Sequence, residues 1–286
     1  MKIGLIDVDG HNFPNLALMK ISAWQKSRKH HVEWCDGLSH YDIVFMSKVF
    51  DFSPDWTQCL DADIIIKGGT GYGFENDHPL PYRIEHCYPD YSLYGITDTA
   101  YGFLTRGCPR HCPFCIVGDK EGTKSVKVAD LSEFWNGQCN IVLNDPNILA
   151  CREWEDLMGQ LAESKALVDF NQGLDARVLT EAKCRALDSV RIKEIHFAWD
   201  NAEDDLKPYF ERYKSLAKHK PHGRYGTVYC LTNFGSTMKE NLYRIYTLRD
   251  LGYDPYVMVY NKPSAPKDIR DLQRWCNNKI IFKKCR

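Results

Sequence analysis

Cys108, Cys112 and Cys115 lie in the stretch TRGCPRHCPFCIVG (105–118), three thiols within eight positions. With 12 cysteines in 286 residues, a C-x3-C-x2-C triple is expected by accident roughly 0.02 times, so the clustering needs a cause. Thiolates this dense hold metal. A structural zinc site wants four ligands, commonly from two separate C-x2-C pairs. Here only Cys112 and Cys115 form such a pair, and closing the site with Cys108 and His111 strains a tight loop. An iron–sulfur cluster asks for something else, since three thiolates hold three irons of a four-iron cluster and leave the fourth open to a small molecule. A purely electron-carrying cluster needs a fourth cysteine, and Cys87 or Cys139 would have to come from afar.

Such a loop must be carried by regular elements, and the apolar pattern supplies them. β-rich runs at 2–7, 31–35, 42–47 and 63–69, with a helical pattern over 17–27, predict a small α/β domain with a mostly parallel sheet. From residue 98 the alternation is more regular. Strand-like runs occur at 100–105, 141–144, 167–171, 194–199, 226–232 and 255–260, separated mostly by helical patterns. Their centres, from Phe103 to Met258, step by 39, 26, 29, 32 and 29 residues. A full eight-unit β/α barrel spends roughly 31 residues per unit, so six units predict an incomplete barrel. The cysteine triple directly follows the first of these strands, where such architectures place active-site loops.

A C-x3-C-x2-C motif with an aromatic, Phe114, before its last cysteine resembles the signature of radical S-adenosylmethionine (SAM) enzymes. The amino-terminal region resembles the cobalamin-binding-type Rossmann domain that precedes the barrel in one branch of that superfamily, where SRGC-like residues lead into the triple as TRGC does here. The resemblance implies an α/β protein, with a Rossmann-like parallel sheet domain over 1–75, a linker over 76–97, a partial (β/α)6 barrel over 98–262 and a basic helical tail over 263–286. It implies a 4Fe–4S cluster on Cys108, Cys112 and Cys115 whose open iron chelates SAM, and an electron donor such as flavodoxin or ferredoxin. Phe114 would then wall the adenine, and Asn144 and Asp145 in LNDPN would accept from the SAM ammonium, although family members often have Gly-Gly-Glu there. In NQGLDARVLT, Gln172 joins the cofactor contacts. Arg177 would reach a carboxylate, or instead pair with Glu181 along a helix. Asp200 would take the ribose hydroxyls or cap the next helix, Asn233 repeats that argument, and Val257, Met258 and Val259 read as core.

The rest of the chain narrows these readings. Net charge is −1, which gives no whole-molecule field for nucleic acid or anionic membrane. The absence of a signal pattern and of any bilayer-length apolar run points to the cytoplasm and to reduced thiols. Cobalamin relatives use D-x-H-x-x-G, but after Asp9, Gly10 and His11 no glycine falls at the matching distance. Glycine-rich KGGTGYG (67–73) would line a nucleotide or cobalamin tail. Cys35, Cys59 and Cys87 equal in number the ligands of the second cluster of methylthiotransferases, yet a strand end, a helix and a linker suit buried apolar cysteine better. The tail, with Arg270, Arg274, Lys279, Lys283 and Lys284 beside Trp275 and Phe282, would either touch RNA or close the barrel with its apolar face, and Cys276 and Cys285 find no partner at ligand spacing. A reading of another class is a non-enzymatic binding module stapled by zinc or a closed cluster.

Overall fold

The computed structural model describes residues 1–10, 13–73 and 79–284, and the chain divides into two compact units. Both are mixed α/β with parallel sheets. Among the described residues, no helix is long and apolar enough to cross a membrane.

The first unit comprises residues 1–99 with 132–136. Its strands are β1 (Lys2–Asp7), β2 (His31–Trp34), β3 (His40–Ser47) and β4 (Asp61–Gly68), in the order β2-β1-β3-β4 with every pair parallel. Helix α1 (Leu16–Ser27) begins at Asn15, whose side chain accepts from the Leu18 N–H, and lays Leu18 and Ile21 on Ile3 and Leu5 of β1. A short helix, α2 (Tyr82–Glu85), follows the sheet, and residues 132–136 are tied in where Tyr91 Oη donates to the Phe134 carbonyl at 2.7 Å. The connection from β2 to β3 has no helix. Asp36 accepts there from the backbone of Leu38 and Ser39, which folds the link into a turn and holds its carboxyl below the usual range. Residues 48–60 are also without helix, so Cys59 lies exposed in a loop rather than in the expected helix, while Cys35 and Cys87 are only half-buried.

The glycine-rich turn after β4 is shaped by the chain's own backbone. Gly71 N–H donates to Lys48 O at 2.9 Å, and a Cβ on Gly69 or Gly71 would overlap the 48–50 segment. Of the amino-terminal motif, Asp7 accepts from Tyr94 Oη and Asp9 from the N–H of Val49 and Phe50, whereas His11 lies outside the described residues, as does Cys285 at the other end.

The second unit holds a six-stranded sheet whose order follows the chain. It runs from β5 (Thr99–Gly102) to β8 (Asn140–Leu143), β9 (Leu167–Leu174), β10 (Ile192–Ala198), β11 (Thr227–Thr232) and β12 (Asp254–Val259), with all pairs from β8 to β12 parallel. Two short strands, β6 (Thr105–Arg106) and β7 (Val126–Lys127), pair antiparallel and pinch off the segment that contains the cysteines and helix α3 (Val117–Glu121). Helices α4 (Trp154–Ser164), α5 (Glu181–Ser189), α6 (Lys207–Leu216) and α7 (Met238–Leu251) fill the connections between strands. One face of β10 meets them: Phe197 packs edge-on to Phe210 and Tyr213, and Trp199 stacks on Phe210. Each such buried ring contributes about 2–3 kcal/mol by leaving water.

Helices α8 (Lys267–Asn277) and α9 (Lys279–Lys284) turn Leu272, Cys276 and Phe282 onto Ile245 of α7 and Val257 of β12. Asn277 binds both the N–H and the carbonyl of Val257, at 2.8 and 3.0 Å, and so satisfies backbone groups of the outer strand. The apolar face of the tail therefore packs on its own unit, with Arg270, Arg274, Lys279, Lys283 and Lys284 left in solvent. Met258 departs from the core reading: alternation buries Val257 completely and leaves Met258 44% exposed on the sheet's other face.

Candidate functional site

The loop from Gly107 to Ser125 is fixed at its neck before any ligand is considered. Glu121 accepts from Arg106 Nη1 at 2.8 Å and from Gly107 N–H at 3.2 Å, and Cys108 N–H donates to Gly122 O at 3.1 Å. Gly107 is required: its φ is +82°, and a Cβ there would overlap the Lys124 carbonyl. Cys112 and Cys115 then bracket a turn closed by Cys115 N–H donating to Cys112 O at 2.9 Å. His111, at φ +47°, has its ring over Gly118.

All three thiols are half-buried. Burial pushes those of Cys112 and Cys115 up, and neighbouring charges add to the effect: Cys115, Cys108 and Asp200 act on Cys112, and Cys108 and Asp200 on Cys115. The group thus carries a deficit of positive charge that a bound metal would reverse, since a coordinated thiol is deprotonated outright. Asn147, only 2% exposed, donates from Nδ2 to Cys108 Sγ at 3.6 Å, while its Oδ1 is buried without a partner. Three soft sulfur donors, one already receiving an N–H, make a set suited to iron–sulfur ligation, where such bonds tune the cluster. A single ion needs sulfurs within about 4 Å of one another, given metal–sulfur bonds near 2.3 Å. Among the described residues, no three His, Cys, Asp or Glu side chains are gathered so that they could hold one ion.

Around this loop stand the ends of the strands. Phe114 packs edge-on against Phe234, beyond β11, and Phe234 against Tyr260, beyond β12, with centroids 5.4 and 4.9 Å apart. Arg110, between the first two cysteines, pairs with Asp175, which is also bound by Arg177 Nε at 2.7 Å. Arg177 reaches on to Asp204 at 2.7 Å, and Glu181 pairs with Arg185 instead. Asp200 accepts from Leu231 N–H at 3.1 Å, and burial lifts its carboxyl to about 6 against the pull of that bond and of Arg244 and Arg177.

The remaining expected contacts differ in availability. Asn144 Oδ1 accepts from Asn171 Nδ2 at 3.1 Å, Asn233 Nδ2 donates to Tyr260 O at 2.8 Å, and Gln172 is exposed. Asp145 is drawn elsewhere: it is fully enclosed and accepts from the N–H groups of Leu104 and Thr105 and from the Thr105 hydroxyl, so it braces the approach to the cysteines.

Several contributors carry no sequence signal of their own. Arg244 of α7 is 1% exposed and donates to the carbonyls of Trp199, Asp200 and Leu231, stitching the ends of β10 and β11. On the sheet face away from the helices, Asp169 stands in register with Glu194, its Oδ1 buried and unpartnered, and burial and Glu194 push its carboxyl up. His196 donates from Nδ1 to Phe170 O at 3.1 Å, since a carbonyl can only accept, and stacks on Tyr229 at 5.2 Å.

Asp175 gives a first test of this framework. Burial alone would raise its carboxyl, but hydrogen bonds from Arg110 and Arg177 outweigh that and hold it below the usual range. Asp175→Asn is expected to destabilise by about 2 kcal/mol at neutral pH, because two partly buried guanidinium groups lose their counter-charge. With a depressed folded pKa, this contribution is present above about pH 4 and is lost as pH falls through the folded value. Urea melts of both proteins across that range check the effect by the convergence of their midpoints.

No family model matches this chain, and no curated protein does.

Proposed function

We propose that this protein is a radical SAM enzyme, with a 4Fe–4S cluster held by Cys108, Cys112 and Cys115. The observation that carries the reading is the half-buried C-x3-C-x2-C loop pinned after the first strand of a chain-ordered sheet and ringed by the strand ends that follow. On this reading the six strands form a partial (β/α)6 barrel, and the four-stranded sheet is a degenerate Rossmann-like domain. Its glycine-rich turn is packed on the chain's own 48–50 segment, so cobalamin is left out of the proposal.

When bound, the cluster and SAM supply reductive cleavage to methionine and a 5′-deoxyadenosyl radical that removes a hydrogen atom from substrate. The protein's residues hold and shield that pair. The three thiolates would ligate iron, and Asn147 keeps an N–H on the Cys108 sulfur. Phe114, Phe234 and Tyr260 present an aromatic row that excludes water. Asn144, oriented by Asn171, offers a carbonyl lone pair to the SAM ammonium, and Asp200 keeps a second oxygen for a ribose hydroxyl. Gln172 and the free oxygen of Asn233 complete the rim, while Arg177 and Asp145 act as positioning residues. The face bearing Asp169, Glu194, His196 and Tyr229 is where substrate would lie.

The test is anaerobic reconstitution with iron and sulfide, then dithionite and SAM. A brown protein absorbing near about 400 nm that forms 5′-deoxyadenosine supports the proposal. A colourless protein that takes zinc in the same loop and leaves SAM intact overturns it.

A further inference from the structure

We propose that the free edge of β4 pairs with β4 of a second copy of this chain, antiparallel, across a twofold axis at Ile65. The inference rests on the sheet edge alone and is independent of any cluster chemistry. β4 is the outer strand of its sheet, and Ile64, Ile65 and Ile66 are 52, 44 and 44% exposed. Edge strands are normally blunted by a central charge, a proline or a bulge. This one places three isoleucines in the middle of an eight-residue run, with its charges at Asp61, Asp63 and Lys67.

The backbone direction follows from one bond. Gly68 O accepts from Lys48 N–H at 3.1 Å, on the β3 side. Amide and carbonyl groups alternate sides along a strand, so those of Asp61, Asp63, Ile65 and Lys67 point away from β3 to the open edge. Setting these residues against their copies about Ile65 puts Ile65 opposite itself, Ile64 opposite Ile66, and Asp63 opposite Lys67 twice. Hydrogen bonds, apolar contacts and charge are then all self-complementary, as an isologous interface demands. Centring the pair one residue either way sets Asp63 or Lys67 opposite Ile65 and loses that match.

The register makes a swap experiment decisive. By light scattering and sedimentation over a series reaching about 100 µM, the wild type is expected to be a dimer. Asp63→Lys and Lys67→Asp each convert two ion pairs into two like-charge pairs and are expected to weaken the dimer by about tenfold or more. Mixing the two variants restores an equimolar dimer, because every pair becomes attractive again, and the double variant restores the homodimer. Lys67 also bonds Asp55 at 3.1 Å and lies over the Tyr72 ring, whereas Asp63 faces His40 Nε2 at 3.6 Å, so Asp63→Lys keeps the Lys67 contacts and gives up only that exposed pair, and unchanged circular dichroism and melting show that it folds. A wild type that is monomeric throughout overturns the proposal. So does a dimer that tolerates both single variants, or singles that stay apart when mixed.

Discussion

On the proposed radical SAM assignment, Cys112→Ala protein is expected to fold as the wild type does and yet not to take up the cluster, with 5′-deoxyadenosine formation falling by about a thousandfold or more. The expectation follows from what surrounds the thiol. The loop is held by Arg110–Asp175, by Glu121 on Arg106 and Gly107, and by the Cys108–Gly122 backbone bond, none of which uses a cysteine side chain. Removing one half-buried sulfur therefore leaves the frame standing, at a stability cost of about 1 kcal/mol or less.

A replacement ligand is not at hand. His111 has its ring over Gly118, and the buried Cys151 thiol bonds Glu153 at 3.1 Å. Cys139 is exposed just before β8 begins, away from the strand ends, and Cys230 and Cys276 are buried in the core. Cys276→Ala serves as the control, expected to cost packing while leaving iron uptake as in the wild type. Because burial and neighbouring charge raise the Cys112 and Cys115 thiols, assembly must release protons, so iron uptake is expected to tighten as pH rises. Iron analysis and circular dichroism on the same preparations separate lost loading from lost fold. A Cys112→Ala protein that keeps its iron would remove the basis of the assignment.

What sequence made legible here was local. Short apolar runs rich in β-branched or aromatic residues marked β1, β3 and β8 to β12 within a few residues, because the strands bury such side chains on both faces or alternate them. The cysteine spacing was visible because its three members are neighbours in sequence. Arg110 and Asp175 are 65 residues apart and Arg244 and Trp199 45 apart, so each reads in isolation as a solvated charge. Asn147 is silent for the same reason, its partner lying 39 residues upstream. In β4 the run marked a strand but not its surroundings: Ile64, Ile65 and Ile66 stand 52, 44 and 44% exposed in the outer strand of the sheet.

The run AYGFLT read as one strand, and the structure breaks it after Gly102. Asp145 takes the N–H groups of Leu104 and Thr105, so neither is left to extend the β5 ladder, while Phe103 turns under the Arg106 guanidinium at 3.9 Å. Leu104 and Thr105 are fully buried, so Asp145→Ala strands two backbone donors and a hydroxyl with no water to replace the acceptor. At about 1–2 kcal/mol for each lost partner, the cost is about 3–5 kcal/mol, enough to lower the melting temperature by about 10 °C. The cysteine loop starts three residues on, so iron loading is expected to drop with it.

The pH dependence of this loss carries a definite sign. Burial lifts Asp145 to about 6, ahead of the hydrogen bonds from Thr105 and Leu104 that pull the other way. A carboxyl whose folded pKa lies above its unfolded value binds a proton in the native state first, so its stabilising contribution grows as pH falls from about 6 towards 4 and is flat above. The stability gap between wild type and Asp145→Ala is accordingly expected to widen between about pH 7 and pH 5, and that between wild type and Asp145→Asn to widen with it, since neither variant titrates there. Denaturant melts at those two pH values measure both gaps. A gap that narrows on acidification would mean that the three donors, not burial, govern this carboxylate.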